Sequence, residues 1–283
     1  MIEPFYRSAD AAWTLYAGDT LELLPQLPAQ SVDLIFADPP YYLSNGGTTC
    51  QAGQRVSVHK GDWDRSGGVA TDHEFHLRWL GACQRLLKPT GTIWISGTHH
   101  AIFSIGYAMQ ELGFHMLNTV TWTKTNAPPH LAGRMFAHST ELLIWAAPAR
   151  GARLLHTFNY HDMKEANGGK QMRDVWQNVW GEDELNADGE GVLWSIPTAP
   201  KREKLEGKHP TQKPLKLLER IILACTSPED VVLDPFSGSS TTGMAALKHG
   251  CRYIGIEWDE RYLDLGRRRA ETWRAQQAAV QAR

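Results

Sequence analysis

No stretch of this chain approaches the roughly 18 uncharged apolar residues of a membrane span, which argues against a membrane partner. The N-terminal MIEPFYRSAD has neither the basic start nor the apolar core of a secretory signal, so the expected location is the cytoplasm. Cysteine is scarce. Cys50, Cys83, Cys225 and Cys251 stand far apart with no C-x-x-C pair, so buried reduced thiols are expected and neither a disulfide framework nor a metal site. A basic surplus is missing too: 29 Lys and Arg against 31 Asp and Glu leave a formal net charge of -2. Phosphate contacts come from Lys and Arg and usually show as a positive excess, so composition alone does not point to nucleic acid. Internal repeats and low-complexity tracts are absent.

What is present is a large apolar fraction, 42% of 283 residues, enough for one large α/β domain. Short runs rich in Val, Ile and aromatics alternate with helix-period segments, the pattern of strand-helix-strand units. Seven strands are expected, at 14–18, 32–37, 92–96, 118–123, 141–146, 231–234 and 252–257. Runs such as VDLIFA and VVLD are apolar almost throughout, as strands covered on both faces are. The expected architecture is an open, doubly wound, mostly parallel seven-stranded sheet. Helices are expected at 72–88, with Phe75, Trp79, Leu80, Cys83, Leu86 and Leu87 on one stripe, and at 214–225, with Pro214 in the first turn.

Two stretches break the pattern. Residues 43–71 hold six glycines without sustained periodicity, and a loop of that length is more often functional than incidental. Residues 151–207 read as a small irregular insert with Trp176, Trp180 and Trp194 as aromatic surface. The chain thus divides into a catalytic half at 1–150, the insert, and a cofactor half at 208–283. Between Lys201 and Lys216 six Lys or Arg face two Glu, whereas Arg267 to Arg269 reads as a solvated helix face.

Two motifs carry chemistry. In LDPFSGSSTTG a buried strand ends at Asp234 and a Gly/Ser/Thr turn opens a helix near Thr241, letting a ligand approach the backbone. Glu257 ends the next strand nineteen positions after Gly238, the spacing at which a carboxylate meets adenosine ribose hydroxyls. No Lys follows the turn, as a P-loop requires, and G-S-S-T-T-G lacks the close second glycine of a dinucleotide site. The second motif is DPPY, Asp38, Pro39, Pro40 and Tyr41, at the end of the VDLIFA strand on the same sheet edge. Its prolines stiffen the turn so that the Asp38 carboxylate and a backbone carbonyl form paired acceptors for an aromatic amino group. The Tyr41 ring, rather than its hydroxyl, is expected to meet the base, stacking for roughly 1–3 kcal/mol.

With RLLKPTGTIWI, KHPTQKP and YIGIEWDERY, these motifs closely resemble the amino methyltransferases of bacterial restriction-modification systems over almost the whole chain. Their order resembles the β class, whose catalytic motif precedes the target-recognition region and whose cofactor motifs come last. The resemblance implies S-adenosylmethionine as cofactor, bound by Asp19, Asp38, Lys213, Asp234, Phe236, Gly238, Ser239, Thr241 and Glu257. It implies methyl transfer to N6 of a flipped adenine in DNA, in duplex or single strands, since Asp at the start of the tetrapeptide accompanies adenine rather than N4 of cytosine. Arg55, Lys60, Lys201, Arg202 and Lys204 are the expected DNA contacts. A homodimer and a cognate restriction endonuclease are compatible partners, and a silent DNA-binding subunit is the non-enzymatic alternative. One departure stands out: Ser240 replaces the family's second glycine.

Overall fold

The computed structural model describes residues 2–44, 48–51, 54–57, 64–124, 127, 129, 133–149, 154–176, 199–207 and 209–281. In chain order the strands are β1 (Tyr6–Arg7), β2 (Trp13–Ala17), β3 (Val32–Ala37), β4 (Thr48–Gln51), β5 (Gln54–Ser57), β6 (Leu87–Gly97), β7 (His115–Thr123), β8 (Thr140–Ala147), β9 (Val175–Trp176), β10 (Val231–Asp234) and β11 (Arg252–Glu257). The helices are α1 (Thr20–Leu23), α2 (Val69–Leu86), α3 (Ile102–Glu111), α4 (Tyr160–Ala166), α5 (Leu215–Cys225), α6 (Thr241–Lys248) and α7 (Glu260–Gln281).

All seven expected strands form. Among the described residues the sheet has nine, in the order β1-β2-β11-β10-β3-β6-β8-β7-β9. The two extra strands span two residues each, too short for a period of two to show in the sequence. From β2 to β6 all neighbours run parallel, whereas β8 is antiparallel to both β6 and β7. Helices α1, α2 and α3 bury their stripes on one face and α5, α6 and α7 on the other. This covering of both faces is why the parallel strands read as continuous apolar runs.

Local details depart from expectation. Helix α2 begins at Val69 and buries His76 with Trp79, Leu80, Cys83 and Leu86, while Leu87 already opens β6. Pro214 caps α5 in extended conformation instead of occupying its first turn. Within 43–71, β4 and β5 form an antiparallel hairpin, a regularity hidden because four-residue strands carry little periodicity. Cys83, Cys225 and Cys251 are buried free thiols, and the Cys50 side chain lies outside the described residues. In 151–207, α4 puts Met163 and β9 puts Trp176 into the main core. Trp176 is therefore a core side chain, not aromatic surface, while Trp180 and Trp194 lie outside the described residues.

The turn between β10 and α6 has an unusual residue at its end. Ser240 has φ +56° and ψ 38°, a left-handed conformation that suits the glycine it replaces and costs a side-chain-bearing residue about 1–2 kcal/mol. Its hydroxyl bonds Ser237 Oγ at 2.9 Å. Gly266 of α7 makes the room: a Cβ added there would collide with Ser240 Oγ. Gly266→Ala should therefore destabilise the fold by about 1–3 kcal/mol. Ser240→Gly should recover most of that loss in the double variant, because the two sites share one space. Denaturant unfolding of the four proteins checks this; additive effects would show that the contact is not the cause.

Candidate active site

The tetrapeptide and the glycine turn meet because β3 and β10 are neighbours. Ile35 pairs with Leu233, so the Asp38-Pro39 and Asp234-Pro235 turns leave the sheet side by side. Between them opens a cleft of about 280 Å³ that Asp19, Asp38, Pro40, Phe236, Gly238 and Glu257 help to line. Lys213, Asp234, Ser239 and Thr241 lie around a smaller adjoining cavity that shares Asp38, Phe236 and Gly238. Pro39 is buried beneath the turn. Lys60 and the Arg55 side chain lie outside the described residues, as do the surroundings of the Lys201 and Arg202 side chains. Lys201, Arg202 and Lys204 belong to a 3-10 turn, Lys201–Lys204, whose Glu203 carboxylate accepts from the Leu215 N–H at the start of α5.

Asp38 is held by three donors. Its Oδ1 accepts from the Tyr41 hydroxyl at 2.5 Å and Ser96 Oγ at 2.6 Å, and its Oδ2 from Lys213 Nζ at 2.6 Å. A carboxylate offers about four lone-pair sites, so about one remains on Oδ2. Among the described residues no donor reaches the Pro39 carbonyl. Lys213 also stands 3.6 Å from Glu141 Oε2, and Lys124 pairs with Glu141 Oε1. Burial disfavours charge on Lys213, but Asp38 and Glu141 outweigh it and hold its pKa above the ordinary lysine value. Burial, then the charges of Asp38 and Glu141, pushes the Tyr41 pKa far up, so its hydroxyl stays neutral and donates. Lys213 Nζ sits 5.1 Å from the Tyr41 ring centroid. The Tyr41 hydroxyl is thus engaged with Asp38, while Lys213 lies over its ring.

The turn is braced from several sides. Glu257 Oε2 accepts from Gly238 N at 2.9 Å, and Oε1 from Trp258 N at 3.1 Å and Asp259 N at 3.0 Å. That leaves room for about one further donor beside the three backbone bonds. Gly238 has φ +48°, and a Cβ there would press on the His209 ring at 3.2 Å, where the backbone must stay open to the cleft. Asp234 accepts from Phe236 N at 3.0 Å and Thr242 Oγ1 at 2.6 Å, and burial pushes its pKa up to about 7. It braces the turn from below. Asp19 caps α1, accepting from Leu21 N at 2.8 Å.

Sequence reasoning missed five participants. Ser96 and Glu141 read only as strand residues, Asp64 lay in the irregular loop, and His209 was hidden in KHPTQKP. Asp64 accepts from Tyr41 N and Leu43 N, both at 3.0 Å, fixing the exit from the tetrapeptide. Arg269 corrects the solvated-face reading of its cluster: it is buried and donates to Thr241 Oγ1 at 3.1 Å and to the Ser239 carbonyl. Arg267 and Arg268 do pair with acids on the surface of α7.

The cleft's charge selects its ligand. Asp19, Asp38 and Glu257 line it, with no Lys or Arg among its described walls. Such a site repels phosphates and favours a cation, while Phe75, Phe236 and Ile256 give it apolar walls. The profile of a family described as DNA methylase matches residues 32–268. The chain belongs to the DNA methylase family. A type II methyltransferase, M2.DpnII of Streptococcus pneumoniae, is 46% identical over 96% of this chain and 93% of its own. A crystal structure of an M1.HpyAVI-SAM complex aligns over 91% of this chain and 98% of that one, at 26% identity and TM-score 0.58. The PvuII cytosine-N4-specific DNA methyltransferase aligns over 94% and 88% with TM-score 0.67; at 19% identity it shares the fold. This DNA methylase thus carries its D-P-P-Y tetrapeptide and its glycine turn at the ends of adjacent strands.

The buried carboxyl of Asp234 gives the fold a pH signature. Its pKa is raised from 3.8 to about 7, so it contributes stability that is fully present below about 4 and is lost as pH rises through about 7. Asp234→Asn keeps an acceptor for Phe236 N, can meet Thr242 Oγ1 only by donating to it, and carries no titrating group, so it should flatten that part of the profile. Denaturant unfolding of both proteins at several pH values between 4 and 8 checks this; unchanged slopes would exclude Asp234 as the source.

Proposed function

We propose that this DNA methylase transfers the methyl group of S-adenosylmethionine to N6 of adenine at a specific DNA site. The observation that carries the reading is the cleft lined by Asp19, Asp38 and Glu257, with no Lys or Arg among its described walls, which opens beside the unfilled acceptors of Asp38 and Pro39. S-adenosylmethionine carries a positive sulfonium and no phosphate, and so suits this cleft where a dinucleotide does not. When bound it supplies an electrophilic methyl group.

The chain's own residues do the rest. Phe236 and Ile256 provide apolar walls, Glu257 accepts a ribose hydroxyl, and Gly238 keeps the backbone open. The free lone pair of Asp38 Oδ2 and the Pro39 carbonyl accept the two N–H bonds of an exocyclic amine. Engaging both draws the nitrogen lone pair out of ring conjugation, the form that attacks an electrophile. Lys213, Tyr41 and Ser96 keep the carboxylate aimed, which is positioning paid in advance. A base inside a duplex cannot reach this edge, so the target is flipped at a cost of a few kcal/mol, or taken from a single strand. The segment 151–207 carries target recognition, and Lys201, Arg202 and Lys204 contact phosphate. As a type II enzyme of the cytoplasm it works beside a cognate endonuclease of the same site specificity. Among the described residues no helix is long and apolar enough to cross a membrane.

Incubation with methyl-labelled S-adenosylmethionine and DNA should place label on adenine N6. Label on cytosine would overturn the choice of base, and cofactor binding without label would mark a silent subunit. Asp38→Ala should reduce single-turnover methylation far more than cofactor affinity. Tyr41→Phe removes one donor to a charged acceptor and should slow the chemical step by roughly 1.5–3 kcal/mol, about ten- to a hundredfold. Full activity of Tyr41→Phe would show that its hydroxyl does not orient Asp38. Glu257→Ala should weaken S-adenosylmethionine binding by about 1–3 kcal/mol in calorimetry while DNA binding holds.

A further inference from the structure

Arg220, on α5, has surroundings opposite to those of the cofactor cleft. It is 8% exposed, and its guanidinium stands 4.9 Å over the Trp176 ring. No hydrogen bond or carboxylate partner reaches it among the described residues; burial alone pushes its pKa down to about 9. A guanidinium packed this deeply with no protein acceptor has lost most of its hydration. Beside it opens a cavity of about 860 Å³. Trp145 walls that cavity, and its indole Nε1–H is likewise buried with no acceptor. Lys164, Lys170 and Arg173 stand exposed around it, against the single carboxylate of Asp174. Four cations against one carboxylate, one of them deep beside an aromatic wall, call for an anion that carries a flat ring.

We propose that this cavity binds a nucleoside monophosphate unit, with its phosphate on Arg220 and its base against the tryptophan wall. A bare phosphate would satisfy Arg220 but leave the Trp145 wall unused. The exposed amides of Asn118 and Gln171, which also line the cavity, suit the edge of a base. The site is separate from the cofactor cleft, and its occupancy does not depend on the methyl-transfer reading. The nucleotide is either one unit of a DNA strand or free in solution.

The probe is thymidine 5′-monophosphate, a pyrimidine, titrated into protein pre-incubated with S-adenosylhomocysteine and followed by tryptophan fluorescence and calorimetry. One saturable site is expected, with thymidine at least tenfold weaker. Arg220→Gln should weaken thymidine monophosphate at least tenfold and leave S-adenosylhomocysteine affinity unchanged. Should Arg220→Gln fail to fold, the surface pair Lys164→Ala with Lys170→Ala carries the same test, with a several-fold loss expected. Competition by a short oligonucleotide assigns the site to a DNA strand, and its absence to a free nucleotide. No binding, or equal binding by wild type and variants, overturns the proposal. Loss of S-adenosylhomocysteine binding alone would instead count against the cofactor reading.

Discussion

One buried ion pair, Lys213 with Asp38, ties together parts of the chain 175 residues apart. Taking two charges out of water is expensive, and the expense is recovered only where geometry and further hydrogen bonds are good. Here Asp38 gains two hydroxyl donors and Lys213 a second carboxylate, Glu141. Removing Lys213 would leave the Asp38 carboxylate without a cation, a loss on the order of 3–5 kcal/mol. The pair therefore fixes where the tetrapeptide sits relative to α5 and, through α5, to the cofactor half.

Two Asp-Pro turns stand side by side at the ends of β3 and β10, yet their carboxylates do different work. Asp38 has a cation at 2.6 Å and stands in the cleft wall. Asp234 has no cation beside it, is 3% exposed and holds its proton up to about 7. The same dipeptide thus supplies a charged acceptor in one place and a brace for a turn in the other, and the difference lies in what neighbouring strands bring.

The sequence carried the parts of this site that lie in turns of distinctive composition. D-P-P-Y and S-G-S-S-T-T-G were legible because prolines, glycines and small hydroxyl residues have little reason to cluster at a strand end otherwise. Ser96 and Glu141 were not legible, since each is an ordinary strand residue until β6 lies between β3 and β8. Sheet order creates that proximity, and local pattern does not encode it. Arg269 was masked by two neighbours that are solvated, although a helix period of 3.6 does turn successive residues to different faces. Strands β1 and β9 fell below the length at which alternation means anything. The serine at Ser240 was legible as a departure, but its accommodation by Gly266, twenty-six positions on, emerges only when α7 packs on the turn.

The sign of the net charge is consistent with this arrangement. A cleft walled by three carboxylates attracts a cation and repels the polyanion whose base it must receive. A DNA phosphate therefore gains nothing by entering it, and the backbone has to be held from outside the catalytic edge by local groups of Lys and Arg. Such groups need no overall surplus, because screening over roughly 8–10 Å at physiological salt separates their field from acids elsewhere on the surface. The cavity at Arg220 and the anionic cleft share no lining residue and differ in the sign of their charged walls. A uniformly basic protein would bind DNA more strongly everywhere, and would lose the contrast that keeps the backbone out of the methyl-transfer site.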